Sequence, residues 1–255
     1  MGYAKNVKLS ELAHFTDRQM EAVQCVKNHR FLLYGGARGG GKSYFLRWFL
    51  LLFVIDHPGV TVGLFCNTFP ELKDRQISKM AEEFPEYLGA IRDRQDKGLG
   101  FYLHERLGGG LIALRNLDDV EKYRSAEFAA IGDDEVTLHD LETFNFLRGS
   151  LRWAGLDRPV YVGGTNPGGK GHGWVKDFWI DRAFPKEMAG IKNEFAFVRS
   201  LPSDNPYLAQ TYWDDLNSLP PNLSRAWVYG DWDIFEGQAF QFNRERHVIN
   251  RMPNG

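Results

Sequence analysis

A glycine-rich segment in the first fifth of the chain carries the residue types that bind phosphate. Residues 36–43 (GARGGGKS), here called the P-loop, fit the pattern G-x-x-x-x-G-K-[ST] between a predicted strand and a predicted helix. Glycines let backbone N–H groups surround an anion, and the helix N-terminus adds a positive dipole end. We expect Lys42 to reach the outer phosphates and Ser43 to offer a hydroxyl to Mg²⁺. The predicted nucleotide-binding residues here are Gly36, Ala37, Arg38, Gly39, Gly40, Gly41, Lys42, Ser43 and Tyr44.

Arg38 is an unusual residue within the P-loop. Its guanidinium group could contact the γ-phosphate of a nucleoside triphosphate or pair with a nearby carboxylate, so it is a candidate catalytic residue. A side chain that faces solvent is the alternative, and the sequence leaves the choice open.

An acidic cluster follows the apolar run at residues 128–132. In P-loop proteins, an Asp at a strand tip holds Mg²⁺ and a following Glu can polarise the attacking water as general base. We assign these roles to Asp134 and Glu135. Gly132 and Asp133 interrupt the apolar run expected just before the acidic pair. Asp133 could be the metal residue instead, and an acidic surface turn is the structural alternative.

Predicted strands and predicted helices alternate along the chain. Thr16 and Gln19 form a capping box that opens a helix to about Lys27. Alternating strands and helices favour a mainly parallel central sheet with helices on both faces, an α/β fold. Strands are predicted at residues 31–34, 60–66, 100–104, 111–115, 128–132 and 159–163, with a hairpin joining the third and fourth, and helices at 42–55 and 71–83.

Composition excludes several classes of protein. The 255 residues include 31 Lys and Arg against 33 Asp and Glu, so any contact with nucleic acid requires a local basic patch. Cys25 and Cys66 are too few for a disulfide framework or a four-Cys zinc site, and a reducing, cytoplasmic setting is expected. The longest apolar run, residues 48–55, is far shorter than the roughly 20 residues that span a bilayer.

The order of the motifs resembles the ATPase domain of the large terminase subunit of tailed bacteriophages, the motor that packages DNA into proheads. The similarity covers nearly the whole chain. Besides the P-loop and the acidic pair, it includes residues 15–19 (FTDRQ), Thr165-Asn166-Pro167, residues 204–208 (DNPYL) and residues 230–232 (GDW) followed by Glu236-Gly237.

The resemblance implies a P-loop NTPase of the ASCE type, with ATP and Mg²⁺ as cofactors, and it gives roles to further residues. Gln19 would read the adenine edge beside its capping role. Arg124 would be an arginine finger offered to a neighbouring subunit, with an Arg on a helix surface as the alternative. Thr165 and Asn166 would couple hydrolysis to movement, although Asn-Pro is equally typical of a turn.

The implied function is an ATP-hydrolysing motor that translocates double-stranded DNA into a viral prohead in the cytoplasm of the bacterial host. The implied partners are duplex DNA, the portal protein ring, the small terminase subunit and further copies of the chain in a ring, a pentamer by this resemblance, with a monomer as the form in isolation. No membrane is expected. Residues 1–167 would form the ATPase core, 168–233 a small lid or linker subdomain and 234–255 a linker towards a nuclease domain, so nuclease activity is not expected in this chain.

Four basic residues are candidates for contacts with DNA phosphates: Arg92, Arg94, Lys97 and Arg106. Acidic residues interrupt this run, which is also typical of a solvated face. Two other functions fit the motifs. One is a helicase-like or recombination-type DNA-dependent ATPase, and the other is a nucleotide-gated module that docks on a portal ring.

Overall fold

The computed structural model describes residues 12–234. Eight strands form one sheet, and they lie in the order β3-β4-β5-β2-β6-β7-β1-β8 once numbered along the chain. Their bounds are β1 Phe31–Gly36, β2 Thr61–Cys66, β3 Gly89–Arg94, β4 Gly98–Leu103, β5 Leu111–Asn116, β6 Ala130–Asp134, β7 Val160–Thr165 and β8 Phe195–Ser200.

Most neighbouring strands run parallel, as the sequence predicts. Strands β5, β2, β6, β7, β1 and β8 form the parallel part, and β4 runs antiparallel between β3 and β5. The predicted hairpin is therefore confirmed as β4 and β5. Strand β3 was not predicted, because its second half consists of exposed charged residues at the sheet edge.

Seven helices are found within residues 12–234, and two of them contain a π-helical stretch. Short 3₁₀ turns connect several of the elements. The helices are α1 Asp17–Val26, α2 Lys42–Asp56, α3 at residues 69–83 with the π-helical turn Leu72–Ile77, α4 Leu141–Gly149, α5 at residues 172–180 with the π-helical turn Lys176–Ile180, α6 Gln210–Asn217 and α7 Pro221–Trp227. The 3₁₀ turns are Glu105–Leu107, Val120–Tyr123, Val136–Leu138, Lys186–Glu194 and Pro202–Asp204.

Hydrophobic layers cover both faces of the sheet. Helix α2 packs Leu46 and Leu50 on one face, together with Tyr34 of β1. The other face is covered by an aromatic cluster that includes Phe144 and Trp179. Strands buried on both faces are typical of a parallel sheet between helical layers, so the predicted α/β fold is confirmed. In the part of the chain described, no helix is long and apolar enough to cross a membrane.

The region after residue 168 also contributes to the sheet. Strand β8 pairs in parallel with β1 from Phe31–Phe195 to Gly36–Ser200. This region was predicted to be a lid or linker, and the strand was not predicted. Of the predicted linker 234–255, all but Ile234 lies outside the described residues, as do Glu236 and Gly237. The division of the chain into three segments stays a prediction.

Candidate nucleotide-binding site

The P-loop connects the end of β1 to the start of α2, as predicted. Gly41 is the N-cap of α2 and has a left-handed conformation (φ 73°), which glycine adopts without steric strain. Gly40 lies so close to Ser200 that an added Cβ would be 2.0 Å from the Ser200 hydroxyl oxygen. The loop therefore excludes side chains at positions where its backbone turns towards the helix.

The last residue of β8 and the turn after it hold the P-loop backbone through hydrogen bonds. The Ala37 N–H donates to the Ser200 carbonyl at 3.1 Å. The Ser200 hydroxyl donates to the Gly40 carbonyl at 2.9 Å, and Asn205 Nδ2 donates to the Gly39 carbonyl at 2.7 Å. These contributions were not predicted, because a Ser and an Asn more than 150 residues away carry no local signal for them.

Lys42 is buried and lies between the P-loop and the end of β7. Its Nζ donates to the Ala37 carbonyl and to Asn166 Oδ1, each at 2.7 Å. Burial lowers the pKa of the Lys42 ammonium group, and the nearby charges of Glu135 and Asp134 oppose that shift. Lys42 is thus the cationic group at the centre of the candidate site.

The two neighbouring aspartates point to opposite faces of β6. The Ser43 hydroxyl donates to Asp134 Oδ2 at 3.0 Å, whereas Asp133 Oδ2 accepts from the Tyr161 hydroxyl at 2.5 Å. His139 Nε2 lies 3.0 Å from the same Asp133 oxygen. Alternation along a strand causes this separation. Of the two candidate metal residues, Asp134 is therefore the one that lies beside Ser43.

Asp134 is buried, and its environment opposes ionisation. Burial and, secondly, the charge of Glu135 raise the pKa of Asp134 to about 6, although hydrogen bonds from Ser43 and Gln76 act in the opposite direction. A hydroxyl and a carboxylate side by side are oxygen donors of the kind Mg²⁺ takes beside nucleotide phosphates. Ser43 and Asp134 therefore fit a magnesium site.

Glu135 has a strained backbone directly after β6. Its φ is 66° and ψ is 55°, a left-handed conformation that is uncommon outside glycine. The Glu135 N–H donates to the Gly164 carbonyl at 2.7 Å, and the carboxylate pairs with Arg75 Nη1 at 3.3 Å. Strained backbones of this kind cluster at functional sites.

The two predicted coupling residues contact different parts of the site. Asn166 contacts Lys42, whereas the Thr165 side chain is buried and its hydroxyl lies 2.7 Å from that of Thr137. Thr137 belongs to the 3₁₀ turn directly after Glu135. The end of β7 is thereby bonded both to the P-loop lysine and to the turn that follows the candidate general base.

A cavity of about 540 Å³ lies over these residues. Arg38 is at its rim, where the guanidinium carbon lies 3.3 Å from the centre of the Trp227 ring and the Arg38 N–H donates to the Trp227 carbonyl at 2.8 Å. Arg38 therefore stacks on α7 here rather than pairing with a carboxylate. The lining residues are Arg38, Gly39, Gly41, Lys42, Ser43, Tyr44, Arg75, Glu135, Thr137, Leu138, Asn166, Pro167, Gly168, Gly169, Tyr212 and Trp227.

A second cavity of about 370 Å³ adjoins the P-loop, and Gln19, Tyr44 and Tyr207 are among its lining residues. The predicted capping box is present, because Gln19 Oε1 accepts from the Thr16 N–H at 2.9 Å. Gln19 Nε2 also donates to the Gly41 carbonyl at 3.1 Å. Gln19 and Tyr44 are thus brought to the P-loop, and recognition of adenine by Gln19 stays a prediction.

Arg124 and the predicted DNA contacts lie away from the large cavity. Arg124 follows a 3₁₀ turn, is exposed, pairs with Glu121 and is absent from the described cavity lining. Three of the four basic candidates, Arg92, Arg94 and Lys97, line one cleft of about 370 Å³ beside β3 and β4. Arg106 is not among the residues that line this cleft, and its Nη2 donates to the Tyr87 carbonyl at 2.7 Å.

The fold and this site define a P-loop NTPase. Among solved structures, large terminases of bacteriophages share the fold of this chain. The large terminase from a thermophilic bacteriophage matches with 16% identity and a TM-score of 0.70. The match covers 94% of this chain and 59% of the terminase chain. The same protein in complex with ATP-gamma-S matches with 14% identity and a TM-score of 0.66, over 95% of this chain and 59% of that one.

The Thermus phage P74-26 large terminase ATPase domain matches with 14% identity and a TM-score of 0.63, over 91% of this chain and all of that one (100%). The chain thus spans about three-fifths of the length of the thermophilic phage terminase, 59%. No family model and no curated protein matches the sequence. At these identities the likeness shows a shared fold, and it confirms the fold that the sequence resemblance implies.

Proposed function

We propose that this chain is the ATPase domain of a viral DNA-packaging motor, which hydrolyses ATP with Mg²⁺ and uses the energy to move double-stranded DNA into a prohead. The observation that carries the proposal is the contact of Ser43 with Asp134, with Lys42 and Glu135 beside them, in a fold shared with large terminases. The portal ring and the small terminase subunit belong to the same proposal as partners.

Each residue of the site has a task in hydrolysis. P-loop N–H groups and the Lys42 ammonium bind the phosphate oxygens, and Ser43 and Asp134 hold the metal. When bound, Mg²⁺ neutralises charge that develops on the phosphates. Glu135, as a carboxylate, accepts a proton from the attacking water. Its pairing with Arg75 places it at the cavity in this structure.

The position of Arg124 supports action on a neighbouring subunit. It is exposed and lies outside the described lining of its own cavity, so a catalytic role requires another chain's site. A homo-oligomeric ring, proposed as a pentamer, would supply that arrangement. Within the ring, we place Arg92, Arg94 and Lys97 against DNA phosphates, because one cleft brings them together.

ATP turnover per chain, measured against protein concentration with and without duplex DNA, tests the proposal. Glu135→Gln should lower the rate by about 10² to 10⁴, the usual contribution of a general base. In the assembled state, Arg124→Ala should lower it by roughly 10³, the lower value for arginine fingers. Exposed Glu142→Gln and Arg152→Ala are matched controls that should keep the rate.

Unchanged turnover in both Glu135→Gln and Arg124→Ala would refute the motor. Stimulation by blunt duplex DNA is expected, and replacement of Arg92, Arg94 and Lys97 by alanine should remove it. Stimulation by forked DNA alone would instead indicate a helicase-like ATPase. Nucleotide binding with negligible turnover would instead favour a docking module.

A further inference from the structure

The π-helical turn Leu72–Ile77 in α3 faces both carboxylates of the candidate site. Arg75 Nη1 lies 3.3 Å from Glu135 Oε1, and Gln76 Nε2 donates to Asp134 Oδ2 at 2.7 Å. Consecutive residues of the turn therefore contact consecutive acidic residues. Single π-helical turns inside α-helices are frequent at functional sites. No role was predicted for Arg75 or Gln76 from the sequence.

The orientation of the Gln76 amide is fixed by its surroundings. Gln76 is fully buried, and its Oε1 accepts from Arg47 Nη1 at 3.1 Å. Because a guanidinium group has only donors, the amide oxygen must face Arg47 and the amide NH₂ must face Asp134. Gln76 thus presents a donor to the carboxylate, because the reverse orientation would turn its NH₂ group towards the donors of Arg47.

Arg47 is itself held by several hydrogen bonds. Its Nε and Nη2 donate to the two carboxylate oxygens of Glu83 at 3.0 and 2.5 Å, the bidentate geometry that fixes a guanidinium plane. Its Nη1 also donates to the Arg75 carbonyl at 2.9 Å. Arg47 lies on α2, the helix that begins at Lys42, so the network joins α3 to the helix of the P-loop.

The network ends on one oxygen of Asp134. Oδ2 accepts from Gln76 at 2.7 Å and from Ser43 at 3.0 Å, whereas Oδ1 has only the longer contact with Ser43, at 3.3 Å. A carboxylate held through one oxygen cannot rotate freely and keeps its other oxygen in one direction. One of the two donors to Oδ2, Gln76, lies 58 residues from Asp134 in sequence.

We propose that Gln76 is a positioning residue for the metal site: it holds the Asp134 carboxylate by Oδ2, so that Oδ1 would be the oxygen available to Mg²⁺ or its water shell. The inference rests on the proposed function, because it needs a metal–nucleotide complex beside Ser43. Arg47 and Glu83 act one step further out, since they orient the Gln76 amide.

Two variants test the inference, with Mn²⁺ as a spectroscopic substitute for Mg²⁺. Gln76→Met keeps the length of the side chain and removes both hydrogen bonds. Gln76→Glu keeps an acceptor for Arg47 and places a carboxylate against Asp134. Exposed Gln95→Met is the matched control. The readouts are Mn²⁺ affinity in the presence of ADP, by electron paramagnetic resonance, and ADP affinity in EDTA.

We expect both variants to bind Mn²⁺ about tenfold more weakly, the lower value found when a residue that orients a metal ligand is lost. ADP affinity in EDTA should stay at the wild-type value, which also shows that a variant is folded. Wild-type Mn²⁺ affinity in either folded variant would overturn the inference while leaving the proposed function intact. Failure of the wild-type chain to bind ADP would instead overturn the proposed function.

Discussion

Asp134 combines burial with a proposed role as a metal ligand, which would require negative charge. Its folded pKa of about 6 lies above the value of roughly 3.9 for an exposed aspartate. The folded chain therefore binds this proton more tightly than the unfolded chain does. The stabilising contribution is complete below about pH 4 and is lost as pH rises through about 6. At neutral pH, when neither nucleotide nor metal is bound, Asp134 is a carboxylate that lowers the stability of the fold.

Asp134→Asn should therefore stabilise the chain in the absence of nucleotide and metal. At pH 7.5 we expect the free energy of unfolding to rise by an amount on the order of 2–3 kcal/mol, because the buried charge is removed and the amide still accepts from Gln76. Urea denaturation in EDTA measures this change, which should be smaller at pH 5. The exposed Asp215→Asn is the control, and a less stable Asp134→Asn at pH 7.5 contradicts the argument.

At the level of residues, local motifs predicted the centre of the site. The P-loop, Asp134 and Glu135 could be identified because a phosphate-binding turn and an acidic strand tip have local patterns. Which of Asp133 and Asp134 lies beside Ser43 could be decided only from the structure, which gives the bounds of β6. Asp133 lies inside β6, so alternation turns it to the opposite face, towards Tyr161. Gln76 could not be predicted, because only packing of α3 on α2 brings it to Asp134.

At the level of elements, β8 and the turn after it complete the P-loop. Backbone groups of Gly39, Gly40 and Ala37 each form a hydrogen bond with Ser200 or Asn205. The sequence did not predict this strand, because its neighbourhood is rich in Pro, Asn and aromatic residues, a composition also found in linkers. Helices α1 and α2 were predicted nearly to the residue, since a capping box and the P-loop mark where they begin.

Asn205→Ala should weaken nucleotide binding without unfolding the chain. It removes the donor to the Gly39 carbonyl, and one hydrogen bond of about 0.5–1.5 kcal/mol corresponds to a rise in Kd of roughly two- to tenfold. Titration with a fluorescent ATP analogue measures the change. Asn217→Ala, at the exposed end of α6, should leave the Kd unaltered. Unchanged affinity in Asn205→Ala would mean that this contact does not organise the loop for its ligand.

At the level of the whole molecule, the exposed position of Arg124 requires a partner chain if the residue is catalytic. Motif order predicted the α/β fold because it reflects the succession of parallel strands. The ring was predicted only from the family resemblance and stays a prediction, since surfaces that join chains have no local sequence pattern.

Mixing two inactive variants tests whether Arg124 acts between chains. Arg124→Ala lacks the finger and Lys42→Ala lacks phosphate binding, so each should have little ATPase activity alone. In a mixed ring, an Arg124→Ala chain next to a Lys42→Ala chain has an intact site. At equal proportions, about a quarter of sites should recover in such a head-to-tail ring. Turnover of the mixture measures the recovery, and its absence would exclude catalysis by a neighbour's arginine.

An ammonium group has only three N–H donors, and in Lys42 two of them are already used by Ala37 and Asn166. A phosphate that needs more than the remaining donor must therefore take one from these partners. If the phosphate takes the N–H that now donates to Asn166, nucleotide binding breaks the bond between Lys42 and the residue that follows β7. Nucleotide release then restores that bond. Making or breaking this single hydrogen bond would then couple occupancy of the site to the position of the end of β7.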